Sequence, residues 1–264
     1  MGNKKKKVTT TVTTTVTEEI VNVPTNELTQ IVCILDRSGS MADIISDSLG
    51  GFNTILKKQK ELPDKATITV ALFDDRYDLL YDNIDIKKAE ELTNKIWIPR
   101  GTTALYDAIG KTINTIRAEH QRLGDEKPDK VLVVIVTDGV ENASHEYRLD
   151  DIEKLIKNCE NDDWNFMYLA ANQDAFKVGQ SFGISHNNTY TYKANSLGVQ
   201  TMSFVMADAA LSYRSMNSAD ADFKTKSKNL VKNDNVNVTG DAGDIQFTTN
   251  TSTTVPDVKP EDNK

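Results

Sequence analysis

The sequence is poor in cysteine, histidine and long apolar runs, and each shortage closes off a class of protein. It has two cysteines in 264 residues, Cys33 inside an apolar stretch and Cys159 near a predicted helix end. That usage excludes a disulfide framework and reads as core thiols of a reducing compartment. No stretch approaches the roughly eighteen consecutive apolar residues of a membrane-spanning helix. The basic start Met1-Gly-Asn-Lys-Lys-Lys-Lys7 runs into threonine and valine instead of an apolar core, so no signal peptide is expected. Lys6 stands where a myristoylation signal on Gly2 wants Ser or Thr. Positive charge is also short: 31 Lys and Arg against 39 Asp and Glu leave a formal charge of −8, which argues against a nucleic-acid binder. His120, His145 and His186 are scattered, and no glycine-rich loop ends in lysine, so neither a nucleophile–base pair nor a phosphate cradle is evident. A binding protein is expected, and not an enzyme.

What is present centres on Ile31-Val-Cys-Ile-Leu-Asp36-Arg-Ser38-Gly-Ser40-Met41. An apolar run of this composition fits a strand buried on both faces of a parallel sheet. The residues that follow such a strand sit at the sheet's carboxyl edge, where open α/β sheets bind ligands. Asp36, Ser38 and Ser40 can turn their oxygens toward one point there. Carboxylate and hydroxyl oxygens without sulfur or imidazole suit a hard divalent cation, Mg²⁺ or else Mn²⁺ or Ca²⁺. The plainer alternative is that Asp36 and Ser38 cap the following helix.

The rest of the chain alternates strands and helices. Helical spacing covers residues 44–60, Ala66–Phe73 alternates as a strand, and Tyr77–Tyr81 folds back on it past Asp74-Asp75. The loop Trp97-Ile-Pro-Arg-Gly-Thr-Thr103 opens onto a helix from Ala104 to about Leu123, with Thr102 or Thr103 placed to cap it. Lys130–Thr137 is a second buried run, again ending in aspartate, Asp138. A helix over Leu149–Cys159, a strand over Trp164–Ala171, a short helix over Gln173–Phe182, a strand over Thr189–Tyr192 and a helix over Leu197–Met216 complete the series. The pattern predicts an α/β fold, a doubly wound and mostly parallel sheet with one antiparallel edge strand. The domain spans 26–216. Residues 1–25 form a polar Lys- and Thr-rich arm in which Val8, Val12, Val16 and Ile20 fall on one face of an extended strand. Residues 217–264, rich in Asn, Asp, Lys and Thr, form a polar tail expected to stay disordered or be ordered by a partner. The paired aspartates at 74–75, 150–151 and 162–163 are expected at turns and helix starts, and Glu141 in a solvated loop.

The motifs Asp-Arg-Ser-Gly-Ser-Met, Gly-Thr-Thr-Ala-Leu-Tyr-Asp-Ala and Thr-Asp-Gly, beginning at Asp36, Gly101 and Thr137, resemble those of the von Willebrand factor type A domain with its metal-ion-dependent adhesion site. The resemblance covers about residues 27–216. Stretches beginning at Tyr168 and Ser212 are similar to the version found in bacterial and bacteriophage proteins. It implies that Ser38, Ser40 and Thr103 hold an ion through their hydroxyls, while Asp36 and Asp138 stand behind, holding metal-bound water. Thr103 is assigned over Thr102 because it abuts the Ala-Leu-Tyr-Asp-Ala helix start. An ion held this way attracts an Asp or Glu carboxylate from a protein partner. The implied setting is cytoplasmic, or a bacteriophage virion or assembly contacted through residues 1–25 and 217–264. Two other readings stay open: a metal-assisted hydrolase, and a scaffold whose metal site is unused.

Overall fold

The computed structural model describes residues 27–171 and 174–215, together with the backbone of 236–239 and 246–249. The strands are β1 Thr29–Asp36, β2 Ala66–Phe73, β3 Tyr77–Asp85, β4 Lys130–Thr137, β5 Trp164–Ala171 and β6 Thr189–Tyr192. They form one sheet in the order β3-β2-β1-β4-β5-β6. All neighbours pair in parallel except β2 and β3, so the antiparallel edge strand is where the sequence placed it. β3 runs four residues past the expected end, and its register against β2 shifts twice between Ile68 and Ala71. Asn83, at φ 49°, sits in that irregular stretch.

The helices are α1 Ile45–Glu61, α2 Leu105–Leu123, α3 Leu149–Asn161, α4 Ala175–Ser181 and α5 Ser196–Ser215. α1 and α5 cover one face of the sheet, and α2, α3 and α4 cover the other. This explains why β1 and β4 read as unbroken apolar runs. Ile31, Cys33 and Leu35 join Leu132, Val134 and Val136 in the first core, while Val32 and Ile34 join Val131, Val133 and Ile135 in the second. Both cysteines are free and buried, as expected of core thiols.

Both ends of the domain are tied together at the amino edge of the sheet. The Leu28 amide donates to Asp129 at 2.7 Å. Buried Lys130 lies 3.3 Å from the Glu27 carboxylate and donates to the carbonyls of Tyr213 and Arg214 at 3.1 and 3.3 Å. Arg214, also buried, donates to the Gln59 carbonyl and side chain and to the Asp64 carbonyl, joining the last turn of α5 to the end of α1.

The predicted arm at 1–25 lies outside the described residues, as does most of the tail at 217–264. Within that tail, β7 Val236–Thr239 and β8 Gln246–Thr249 pair antiparallel, a ladder that its polar composition did not announce. Among the described residues no helix is long and apolar enough to cross a membrane.

Candidate metal centre

β1 and β4 are adjacent and parallel, so Asp36 and Asp138 leave the sheet side by side. A 3-10 turn at Gly39–Asp43 follows β1 and brings Ser40 back over the strand end. Ser38 and Ser40 hydroxyls lie 3.0 Å apart, and Ser40 donates to Asp138 Oδ1 at 2.6 Å. Asp36 is buried; its Oδ1 accepts the Ser38 amide at 2.6 Å and its Oδ2 the Thr137 hydroxyl at 2.5 Å. Ser38 makes no side-chain cap, so helix capping does not account for it.

Thr103 closes the group from a third loop. Asn142 brackets it, with the Thr103 amide donating to Asn142 Oδ1 at 2.9 Å and the Asn142 amide to the Thr103 carbonyl at 3.0 Å. That places the Thr103 hydroxyl opposite Gly139. A Cβ on Gly139 would stand 2.6 Å from Thr103 Oγ1 and 3.4 Å from Ser38 Oγ. The absent side chain therefore leaves a gap that hydroxyls from two loops face. Thr103 is buried and Thr102 exposed, which supports the choice of Thr103. Neither threonine caps α2, whose N-cap is Ala104 without a side-chain bond.

The capping comes from residues the sequence reading gave to solvent. Glu141 accepts the Tyr106 amide at 2.9 Å and also the Ala143 and Ser144 amides and the Ser144 hydroxyl. The expectation that Glu141 is merely solvated is thus corrected: it accepts one open N–H of the α2 start, that of Tyr106, and ties its own loop through Ala143 and Ser144. Asp107, in the first turn of α2, accepts in return from the amides of His145, Glu146 and Tyr147, each at 2.9 Å. Loops 103–107 and 138–147 are thereby laced together, fixing Thr103 against Gly139.

Burial would raise the Asp107 carboxyl, but the three donated amides and the Lys111 charge outweigh it and hold the pKa below the ordinary value. A carboxyl with a depressed folded pKa stabilises fully above its unfolded pKa of about 4, and that contribution is lost as pH falls through the folded value. Asp107→Asn is accordingly expected to destabilise the protein by about 1–3 kcal/mol at pH 7. The gap between variant and wild type should shrink in melts run progressively below pH 4. A gap that stays constant with pH would show that the charge of Asp107 is irrelevant.

A second feature went unread. Asp74 directly follows β2 as Asp138 follows β4, and it is fully buried. Its Oδ2 accepts from Arg37 Nε at 2.8 Å and Arg100 Nε at 2.6 Å, and Arg37 also reaches Asp78 at 2.6 Å. The Asp74-Asp75 pair marks a turn as expected, but Asp74 also clamps the strand end of β1 to the 99–103 loop. The Arg100 amide donates to the Arg37 carbonyl at 2.8 Å, and the Gly39 amide to the Gly101 carbonyl at 3.3 Å. Gly101 sits at φ +65°, and a Cβ there would strike the Asp75 carboxylate. Burial would raise the Asp74 carboxyl, but the Arg100 bond, the Arg76 amide and the charges of Arg37 and Arg100 keep it below the usual range.

The donor set fits a hard divalent cation. It offers two carboxylates and three hydroxyls on three loops, around a gap kept clear by glycine. Among the described residues no three His, Cys, Asp or Glu side chains cluster as a metal group, so any ion here would rely on hydroxyls. Burial pushes the Asp36 carboxyl up to about 6, with bonds from Thr137 and Ser38 opposing the rise and the Asp138 charge adding to it. Asp138 is likewise raised by burial, against the pull of the Ser40 bond. A cation between them would offset both.

An open, doubly wound sheet with a hydroxyl–carboxylate cluster at its carboxyl edge defines the class. The profile of the von Willebrand factor type A domain matches residues 30–205, and the chain belongs to that family. A search of curated proteins by sequence finds no match. The fold is similar to that of the pilus adhesin SpaC from Lactobacillus rhamnosus GG in its open conformation, at 13% identity and a TM-score of 0.54, covering 72% of this chain and 31% of that one. It is also similar to the manganese-loaded TRAP protein of Plasmodium vivax, at 18% identity and a TM-score of 0.50, covering 66% and 72%. Proximal thread matrix protein 1 of the mussel byssus follows at 18% identity and a TM-score of 0.48, covering 71% and 46%. The chain thus spans less than half the length of two of the three.

Proposed function

We propose that the protein is a divalent-metal-dependent protein-binding module, without enzymatic activity, whose ion recognises a partner's Asp or Glu carboxylate. The observation that carries this reading is the convergence of Ser38, Ser40 and Thr103 hydroxyls with the Asp36 and Asp138 carboxylates beside the gap at Gly139. Ser38, Ser40 and Thr103 would hold the ion, Mg²⁺ or Mn²⁺, with Asp36 and Asp138 supporting it. Hydroxyls donate no charge, so an ion held mostly by them keeps an appetite for a negative oxygen. When bound, the ion supplies that electrophilic point; the chain's own part is to fix the hydroxyls and exclude competing side chains. The histidines lend little to a hydrolase: His120 bonds to Gln30 at 2.7 Å near the opposite edge, and the His186 ring packs on Phe176. The phage setting, as a virion or assembly component held by its arms, belongs to the same reading and rests on the sequence resemblance.

Calorimetric titration with Mn²⁺ tests it. Wild type is expected to give a saturable one-site heat, and Ser38→Ala to lose it. At roughly 100 times the dissociation constant the ion should stabilise the wild type by about 2.7 kcal/mol, a rise in melting temperature of roughly 5–10 °C. Equal heats for the two proteins would refute the site.

A further inference from the structure

The exposed large apolar side chains among the described residues are Ile96, Ile98, Val140, Phe176 and Leu197. Isolated apolar residues on a surface are ordinary and need no explanation. Their distribution is not ordinary, because all five belong to segments at the carboxyl edge of the sheet. Val140 is 66% exposed and follows Asp138-Gly139 directly. Ile96 and Ile98 flank Trp97, whose buried indole N–H donates to the Asp36 carbonyl at 2.9 Å. Ile98 itself is 50% exposed, two residues before Arg100, the residue whose amide bonds the Arg37 carbonyl. Phe176 opens α4 just beyond β5. Leu197, 56% exposed, opens α5 beside Ser196, which bonds Asp47 in the first turn of α1. The amino edge, where Lys130 joins Glu27 to the last turn of α5, carries none of these five.

We infer that these side chains form an apolar rim around the candidate metal centre, and that the partner is a protein segment whose acidic residue is flanked by large aliphatic or aromatic side chains. The inference rests on the metal-dependent reading above and adds the composition of the segment. A lone carboxylate on an ion at a wet surface exchanges readily with water, and affinity comes from apolar anchors that exclude it. Ile98 and Val140 stand on the two loops, 97–103 and 138–142, that bracket Thr103. Anchors on either side of the acid would settle against them. The charges at this edge favour a protein segment over an anionic lipid surface. Asp43 ends the 3-10 turn after the serines, Asp47 begins α1 and Asp75 lies in the β2–β3 turn. These acids oppose lipid phosphates, whereas a held cation accepts a single carboxylate locally.

The test is selection from a display library of random seven-residue peptides on the immobilised full-length chain in Mn²⁺. Ile98→Ser and Val140→Ser proteins run in parallel, and each protein is titrated with Mn²⁺ alone. Wild type is expected to enrich peptides with Asp or Glu and a large apolar residue within two positions. Their affinity should fall at least tenfold in either variant and vanish in chelator, while Mn²⁺ binding by both variants is unchanged. Enriched acids in polar contexts, equal binding by the variants, or no enrichment over the variants would each overturn the rim while leaving the metal site standing. Loss of Mn²⁺ binding by wild type would sink both readings. Chain that floats with phosphatidylserine vesicles and loses this with Ile98→Ser would reassign the rim to lipid.

Discussion

Gly139→Ala is expected to cut Mn²⁺ affinity by on the order of 100-fold while destabilising the metal-free protein by about 1–3 kcal/mol through overpacking, without unfolding it. The backbone at Gly139 is not in the left-handed region, so alanine is allowed there conformationally. The obstacle is the neighbour: the new methyl would stand 2.6 Å from Thr103 Oγ1. Thr103 cannot retreat freely, because Asn142 holds its amide and its carbonyl. The methyl therefore takes the space that the Thr103 and Ser38 oxygens face, and an ion loses two donors together. Calorimetry gives the affinity, and circular dichroism with a thermal melt establishes the fold. If Gly139→Ala binds Mn²⁺ like wild type, the ion does not sit between these hydroxyls.

Asp74→Ala is expected to be the most destabilising single change near the centre, by about 3–5 kcal/mol. It leaves the buried Arg37 guanidinium without the carboxylate that accepts its Nε, and it removes the acceptor for Arg100 as well. At about 2–4 °C per kcal/mol for a domain of this size, the melting temperature should fall by roughly 6–20 °C. Asp78, half exposed, still pairs with Arg37 and moderates the loss. The 99–103 loop would lose its hold on the end of β1, so Mn²⁺ binding should weaken although no proposed ligand has changed. A melt within 2 °C of wild type would mean that Asp78 alone satisfies Arg37.

The fold was legible because its signals are physical necessities. A strand buried on both faces must be apolar throughout, and β1 and β4 are; a half-covered edge strand must alternate, and β3 reads as broken and polar. The five candidate residues were legible because Asp36, Ser38, Ser40 and Asp138 stand at or just past the ends of two unbroken apolar runs, and Thr103 stands just ahead of a helical pattern. Asp74 carried the same signal, an aspartate directly after an apolar strand, but its neighbour Asp75 made the pair look like turn chemistry. Glu141 and Asp107 were illegible for another reason. Glu141 accepts the Tyr106 amide 35 residues away, and Asp107 accepts three amides 38 to 40 residues away; no local pattern encodes which distant amides a carboxylate will meet. The apolar rim escaped similarly: Ile98, Val140 and Leu197 are far apart in the chain, and only the topology gathers them at one edge.

The knot at Lys130 gives the molecule a back and a front. Leu28 directly precedes β1, and Asp36 is the last of that strand's eight residues, a height of about 25 Å at strand rise. A contact made at Glu27 or at Arg214 meets the domain on the side away from the ion-facing surface and leaves that surface open to a second object. Tension applied between Glu27 and Arg214 would load the Lys130 ammonium, which contacts the Glu27 carboxylate on one side and the Tyr213 and Arg214 carbonyls on the other.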